Sequence, residues 1–82
     1  MSDTKNGDTN TVEQLVMQSE VRVLVNWHTG KADYERDVAW TRRKLMRTFR
    51  DAPKDLPEKI AKNEKLRKHH RARARYWKKL LA

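Results

Sequence analysis

Between residues 62 and 79 the chain carries Lys62, Lys65, Arg67, Lys68, Arg71, Arg73, Arg75, Lys78 and Lys79, interrupted by His69 and His70 and, near its end, by Tyr76 and Trp77. The chemistry open to such a set is recognition of a dense anion. Guanidinium groups fork onto phosphates or guanine edges, ammonium groups act as compact point charges, and aromatic rings stack on exposed bases. On a helix these residues cover about five turns and project cations on nearly every side, so the segment repels itself until counter-charge is supplied. A phosphate backbone supplies it, with release of condensed counterions and a steep dependence on salt.

A second basic cluster, Arg42, Arg43, Lys44, Arg47 and Arg50, lies upstream. Arg43 and Arg47 extend the same surface if their helix packs beside the C-terminal one; otherwise the cluster satisfies the negative end of its own helix dipole. The competing reading of the longer run is a solvated, solubilising face. Residues 57–82 hold ten bases and two acids, which exceeds what solubility asks of a surface that ordinarily mixes both signs. An interfacial membrane helix is excluded because residues 62–75 offer no apolar face.

Other chemistries find little material. His69 and His70, adjacent on a helix, point about 100° apart, and no third ligand stands at metal spacing, so neither metal nor cofactor is expected. No carboxylates pair in an apolar setting, no glycine loop can cradle phosphate, and no nucleophile arrangement is present. The chain is therefore expected not to be an enzyme.

The 82 residues carry a net charge of +9, distributed unevenly. Residues 1–30 sum to −2, residues 31–56 to +3 and residues 57–82 to +8. Such clustering speaks about partners rather than fold. Cysteine is absent, which closes disulfide and thiolate chemistry. No apolar run approaches the roughly 20 residues that span a bilayer, and the polar start lacks the features of a secretory signal. The expected location is the cytoplasm, or a nucleus if the source has one.

The elements that must position these residues are helical. Residues 1–10 offer nothing to bury and are expected to form a disordered, acidic and polar tail; residues 11–82 are expected to form a single small domain. Thr11 and Gln14 have capping-box spacing, and Val12, Leu15, Val16, Val23 and Trp27 follow in a pattern that predicts a helix over 12–28. Residues 21–27 also alternate like a strand, with Val21, Val23 and Val25 on one side. Thr29-Gly30 predicts a break, since glycine suits the left-handed conformation that closes helices. Asp33 then starts a helix over 33–50 with Tyr34, Val38, Thr41, Leu45 and Phe49 as its apolar stripe. Read as a helix-turn-helix, Gly30 would be the turn and residues 33–50 the recognition helix, with base contacts near Asp33 and Arg36, where the local charge suits DNA poorly.

Pro53 and Pro57 mark a linker, and Asp55 with Glu58 resembles another capping box, opening a helix over 57–81. No heptad pattern is sustained long enough for a coiled coil. The fold class expected is all-α: two or three helices, a disordered N-terminal tail and a long basic C-terminal helix. Helices 12–28 and 33–50 would form a hairpin with Val16, Val23, Trp27, Val38, Leu45 and Phe49 as its core. The third helix would dock through Ile60, Leu66 and Trp77 or, as its long polar middle favours, project as an arm that orders on its target.

The function expected from these residues is that of a non-enzymatic, nucleic-acid-binding accessory or regulatory protein, engaging the phosphate backbone of DNA or RNA through the basic C-terminal helix. Tyr76 and Trp77 would stack on bases. The alternative is a small adaptor or inhibitor that binds an acidic surface of a larger protein machine, with Trp40, Trp77 or Leu81 as anchors. Trp40 lies off the stripe of its helix, which motivates that alternative. Self-association is also open to a domain this small.

Overall fold

The computed structural model describes residues 15–81 in full; residues 1–14 and 82 lie outside them, and with these fall the tail expected over 1–10 and the Thr11–Gln14 capping box. Among the described residues two helices make the fold, α1 (Ser2–Thr48) and α2 (Leu56–Lys78), packed against one another as an antiparallel hairpin. No strand occurs among the described residues, so the valines at 21, 23 and 25 are helical. The fold class is all-α, as the composition and periodicity predict.

The break expected at Thr29-Gly30 does not occur. α1 passes through Gly30 without a positive φ, because a glycine flanked by helix formers costs about 1 kcal/mol relative to alanine and does not by itself stop a helix. One continuous helix therefore replaces those expected over 12–28 and 33–50, and the turn that a helix-turn-helix would need is gone. A Cβ placed on Gly30 meets nothing within 4 Å. Gly30→Ala is accordingly expected to stabilise the protein by about 0.5–1 kcal/mol. A left-handed closing glycine would give the opposite sign in the same thermal melt.

The chain leaves α1 after Thr48 and turns through a proline-bearing linker, where the Ala52 amide donates to the Phe49 carbonyl and the Leu56 amide to that of Pro53. Pro57 occupies the first turn of α2, where its missing amide hydrogen is no loss. The capping box expected of Asp55 and Glu58 is not formed: the Asp55 side chain caps no amide and instead meets Lys59 at 3.2 Å.

α2 docks along α1 rather than projecting as an arm, and what it buries differs from expectation. The most buried residues of α1 are Val21, His28, Ala32, Glu35 and Ala39; those of α2 are Leu56 and Asn63. Half-buried Val25 and Arg42 complete the α1 series, and half-buried Ile60, Arg67, His70, Ala74, Trp77 and Leu81 continue the α2 series. These positions recur at alternating steps of four and three, which is a heptad seam. Contrary to the sequence reading, a heptad pattern is therefore sustained; most of its positions hold alanine or polar side chains, so the repeat does not stand out as an apolar one. Ala32 and Ala39 let the helix backbones approach, while polar pairs fill the layers between them.

The apolar residues expected in the core lie mostly outside it. Val16, Val23, Trp27, Leu45 and Phe49 are exposed, and so is Leu66; Val38 is half-buried. The stripe over 34–49 is real, but it occupies a different face of α1 from the seam. Tyr34 and Glu35 are successive residues, yet Glu35 is buried against α2 while Tyr34 is 59% exposed.

Candidate functional site

The seam fixes the rotation of α2 and so decides where its cations point. At its centre Asn63 Nδ2 donates to Glu35 Oε1 at 3.1 Å, while Asn63 Oδ1 accepts from the Arg42 guanidinium. One amide thus joins an acid and a base of the facing helix. Beside it Glu64 binds two arginines: Arg67 Nη2 donates to Oε2 at 3.0 Å, and Arg43 Nη2 lies 3.5 Å from Oε1. Burial pushes the Glu64 carboxyl up, but the hydrogen bond from Arg67 and the charges of Arg67 and Arg43 outweigh it and hold the group below the usual carboxylate range.

Two turns along, the Nδ1 atoms of His28 and His70 approach to 2.9 Å, with the Trp27 ring edge-on to both imidazoles. One Nδ1 must lack a proton for this bond to form. Burial lowers both pKa values; His28 is lowered further by His70, Arg73 and His69, and His70 by His69 and Lys31, with Glu35 partly opposing. The folded chain therefore favours neutral rings more than the unfolded chain does. The stability this contributes is complete above the ordinary histidine pKa of about 6.5 and is lost as pH falls below it. The melting temperature is expected to fall between pH 7.5 and about 5, and the fall should shrink in His28→Asn, His70→Asn. An unchanged pH profile in that double variant would remove the pair from the account.

With α2 so oriented, Arg67, Arg71, Arg75 and Lys78 line one side of the hairpin. A groove of about 530 Å³ between the helices has Val25, Ala32 and Ala74 in its walls and Asp33, Arg71, Arg75 and Lys78 on its rim. A smaller cleft adjoining it brings Arg36 of α1 beside Arg67 and Arg71. The one carboxylate in both, Asp33, lies 3.6 Å from Arg36. This face is rich in arginine and combines residues from both helices.

The remaining sequence-predicted residues distribute around it. Lys62 lies on the opposite side, in a cleft shared with Tyr34, Val38, Lys59 and Leu66. Lys65, Lys68 and Lys79 are exposed. Arg73 stacks over Tyr76 and Trp77, 5.0 and 5.3 Å from the ring centroids. Tyr76 is exposed, whereas Trp77 is half-buried in the seam with its Nε1 buried and unbonded, so Tyr76 is the more accessible stacking ring. Trp40 is exposed beneath the Lys44 ammonium, and Arg47 is exposed near the end of α1. Arg43 is drawn toward Glu64, which makes it part of the hairpin's own ion network.

Arg36 enters the sequence reading only through the helix-turn-helix that the continuous α1 removes; its grouping with Arg67 and Arg71 was not legible, because they come from a helix whose rotation is set by polar seam positions. The signal that finds it is the seam itself, with His28, Glu35 and Arg42 seven residues apart facing Asn63 and His70, also seven apart.

These features define a class: an antiparallel two-helix hairpin with a polar seam and an arginine-lined groove. Compared with protein-family models, curated proteins and solved structures, the chain matches none. No helix among the described residues is long and apolar enough to cross a membrane, and no cluster of His, Cys, Asp or Glu among them has the makings of a metal site.

Proposed function

We propose that this protein is a non-catalytic nucleic-acid-binding accessory or regulatory protein that holds a phosphate backbone along the groove between α1 and α2. The observation that carries the reading is the convergence of Arg36, Arg67, Arg71, Arg75 and Lys78, from two helices, on one side of the hairpin. Bases on α2 run from Lys59 to Lys78 with only Glu58 and Glu64 as acids, and among the described residues Lys59 and Arg67 are the α2 cations with a carboxylate in salt-bridge range. The others must draw counter-charge from solution or from a ligand, and a polyanion releases those counterions on binding. Arginine predominates in the groove, and its planar fork matches phosphate geometry better than an ammonium does.

Exposed Tyr76, with Arg73 stacked on it, supplies a ring on which an unpaired base can rest. A cytoplasmic or nuclear location agrees with such a target. The second reading, an adaptor on an acidic protein surface, is favoured by exposed Trp40, which lies outside the seam. Capture from a lysate before and after nuclease treatment separates them: co-purifying nucleic acid that is lost with nuclease supports the first, and a single stoichiometric protein that survives it supports the second.

A further inference from the structure

The largest apolar side chains of this hairpin lie on its outside. Trp27 is 53%, Tyr34 59%, Leu45 39% and Phe49 53% exposed, whereas the buried apolar residues are Val21, Ala32, Ala39 and Leu56. With Val16, Val23, Val38 and Thr41 they form a line along α1 whose steps from Val16 to Phe49 are 7, 4, 7, 4, 3, 4 and 4 residues. That is the spacing of a second helix-packing seam. α2, which takes the face of His28, Glu35 and Ala39, meets only one edge of it, where Trp27 touches His70 and Tyr34 and Val38 share a cleft with Lys62 and Leu66.

We propose that a second copy of this chain covers this stripe, with α1 packed antiparallel to the partner's α1 about a two-fold axis near residues 32 and 33. Three features choose this occupant. The stripe is about 50 Å long at 1.5 Å per residue, so its cover must be a straight helix much longer than α2, and α1 is such a helix. A two-fold near residues 32 and 33 maps four of the eight stripe residues onto one another, setting Trp27 against the partner's Val38 and Phe49 against the partner's Val16, large against small, with the other four interleaved between them. Charge then sets the direction. Arg42, Arg43, Lys44, Arg47 and Arg50 crowd the end of α1 and the turn after it without an acid among them, whereas residues 15–41 mix Glu20, Asp33, Glu35 and Asp37 with Arg22, Lys31 and Arg36. A parallel copy would put the basic ends side by side; an antiparallel copy separates them and sets each beside residues 15–23, where Glu20 and Arg22 balance.

The result is an isologous four-helix assembly. It leaves the groove free, because Arg36 and Tyr34, two residues apart, point about 160° apart around α1. The inference does not depend on nucleic-acid binding.

Sedimentation velocity of the full chain, free of nucleic acid, tests it. The expected mass is twice the 9.8 kDa of one chain. Leu45→Glu and Val23→Glu should each halve that mass while circular dichroism stays helical, and Trp40→Ala, off the stripe, should leave it unchanged. The chain has no cysteine, so direction can be read by oxidising mixed single-cysteine variants. Val16→Cys and Phe49→Cys chains should cross-link with each other and neither with itself. A wild-type chain that stays monomeric at every concentration, a Leu45→Glu chain of unchanged mass, or self-cross-linking of Phe49→Cys would overturn the proposal.

Discussion

Replacing Arg71, Arg75 and Lys78 together by glutamine is expected to weaken nucleic-acid binding on the order of a hundredfold near physiological salt, since each lost phosphate contact removes about 0.9 from the log–log salt slope. The slope itself should flatten by about 3. The comparison that gives this meaning is Lys59→Gln, Lys62→Gln, Lys65→Gln, which removes the same charge from the side of α2 away from the groove. If the groove holds the phosphate backbone, that second variant loses far less. Equal losses would mean that the net charge of +9 acts as a diffuse cloud and that no face is privileged. Asp33→Asn gives the opposite sign: removing the one carboxylate on the groove rim should tighten binding. Binding is read by fluorescence anisotropy at several salt concentrations, with circular dichroism confirming the hairpin.

The largest effect on stability is expected from Asn63→Leu. On an exposed arm, an asparagine replaced by leucine would gain helix propensity and change little else. In the seam it removes the donor to Glu35 and the acceptor for Arg42 at once. Stranding buried polar groups costs about 1–3 kcal/mol, and more where they are charged. For a domain of this size the melting temperature should drop by roughly 10 °C or more. Replacing Glu35, Arg42 and Asn63 together by leucine should recover much of the loss, because an apolar seam of similar volume has nothing left unsatisfied. The polar layer then serves register more than stability, since an all-leucine seam can slip by a heptad whereas an amide between an acid and a base fits one alignment. A melting temperature that rises in Asn63→Leu would take Asn63 out of the seam.

Much of the architecture was legible residue by residue. Pro53 and Pro57 place the linker because neither fits inside a continuous helix, and the good helix formers after Leu56 give α2 nearly its observed span. The basic run and the stripe from Tyr34 to Phe49 were legible for the same reason: each is a local pattern. What was not legible is which pattern faces inward. Periodicity marks an apolar face as one that needs cover, and the inference that α1 folds onto itself at Gly30 supplied a cover that the continuous helix does not provide. The true intramolecular seam is written in His28, Glu35, Arg42, Asn63 and His70, which separately read as surface residues. Their meaning appears only when the two helices are set in register, with the alanines at 32 and 39 admitting close approach. The groove follows from that register, which is why the grouping of Arg36 with Arg67 and Arg71 was missed and why Lys62 and Arg71, both in the basic run, lie on opposite sides.

The central claim is that the basic groove engages nucleic acid as a built site, and a salt-dependent titration of the wild-type protein tests it most directly. Duplex DNA, structured RNA and heparin are titrated at several salt concentrations while tryptophan emission is followed alongside anisotropy. The account expects one nucleic acid to bind more tightly than heparin, with a log–log slope of about −3 to −5 for the cations of the groove. Equal, weak binding to all three polyanions, vanishing near physiological salt, would contradict it.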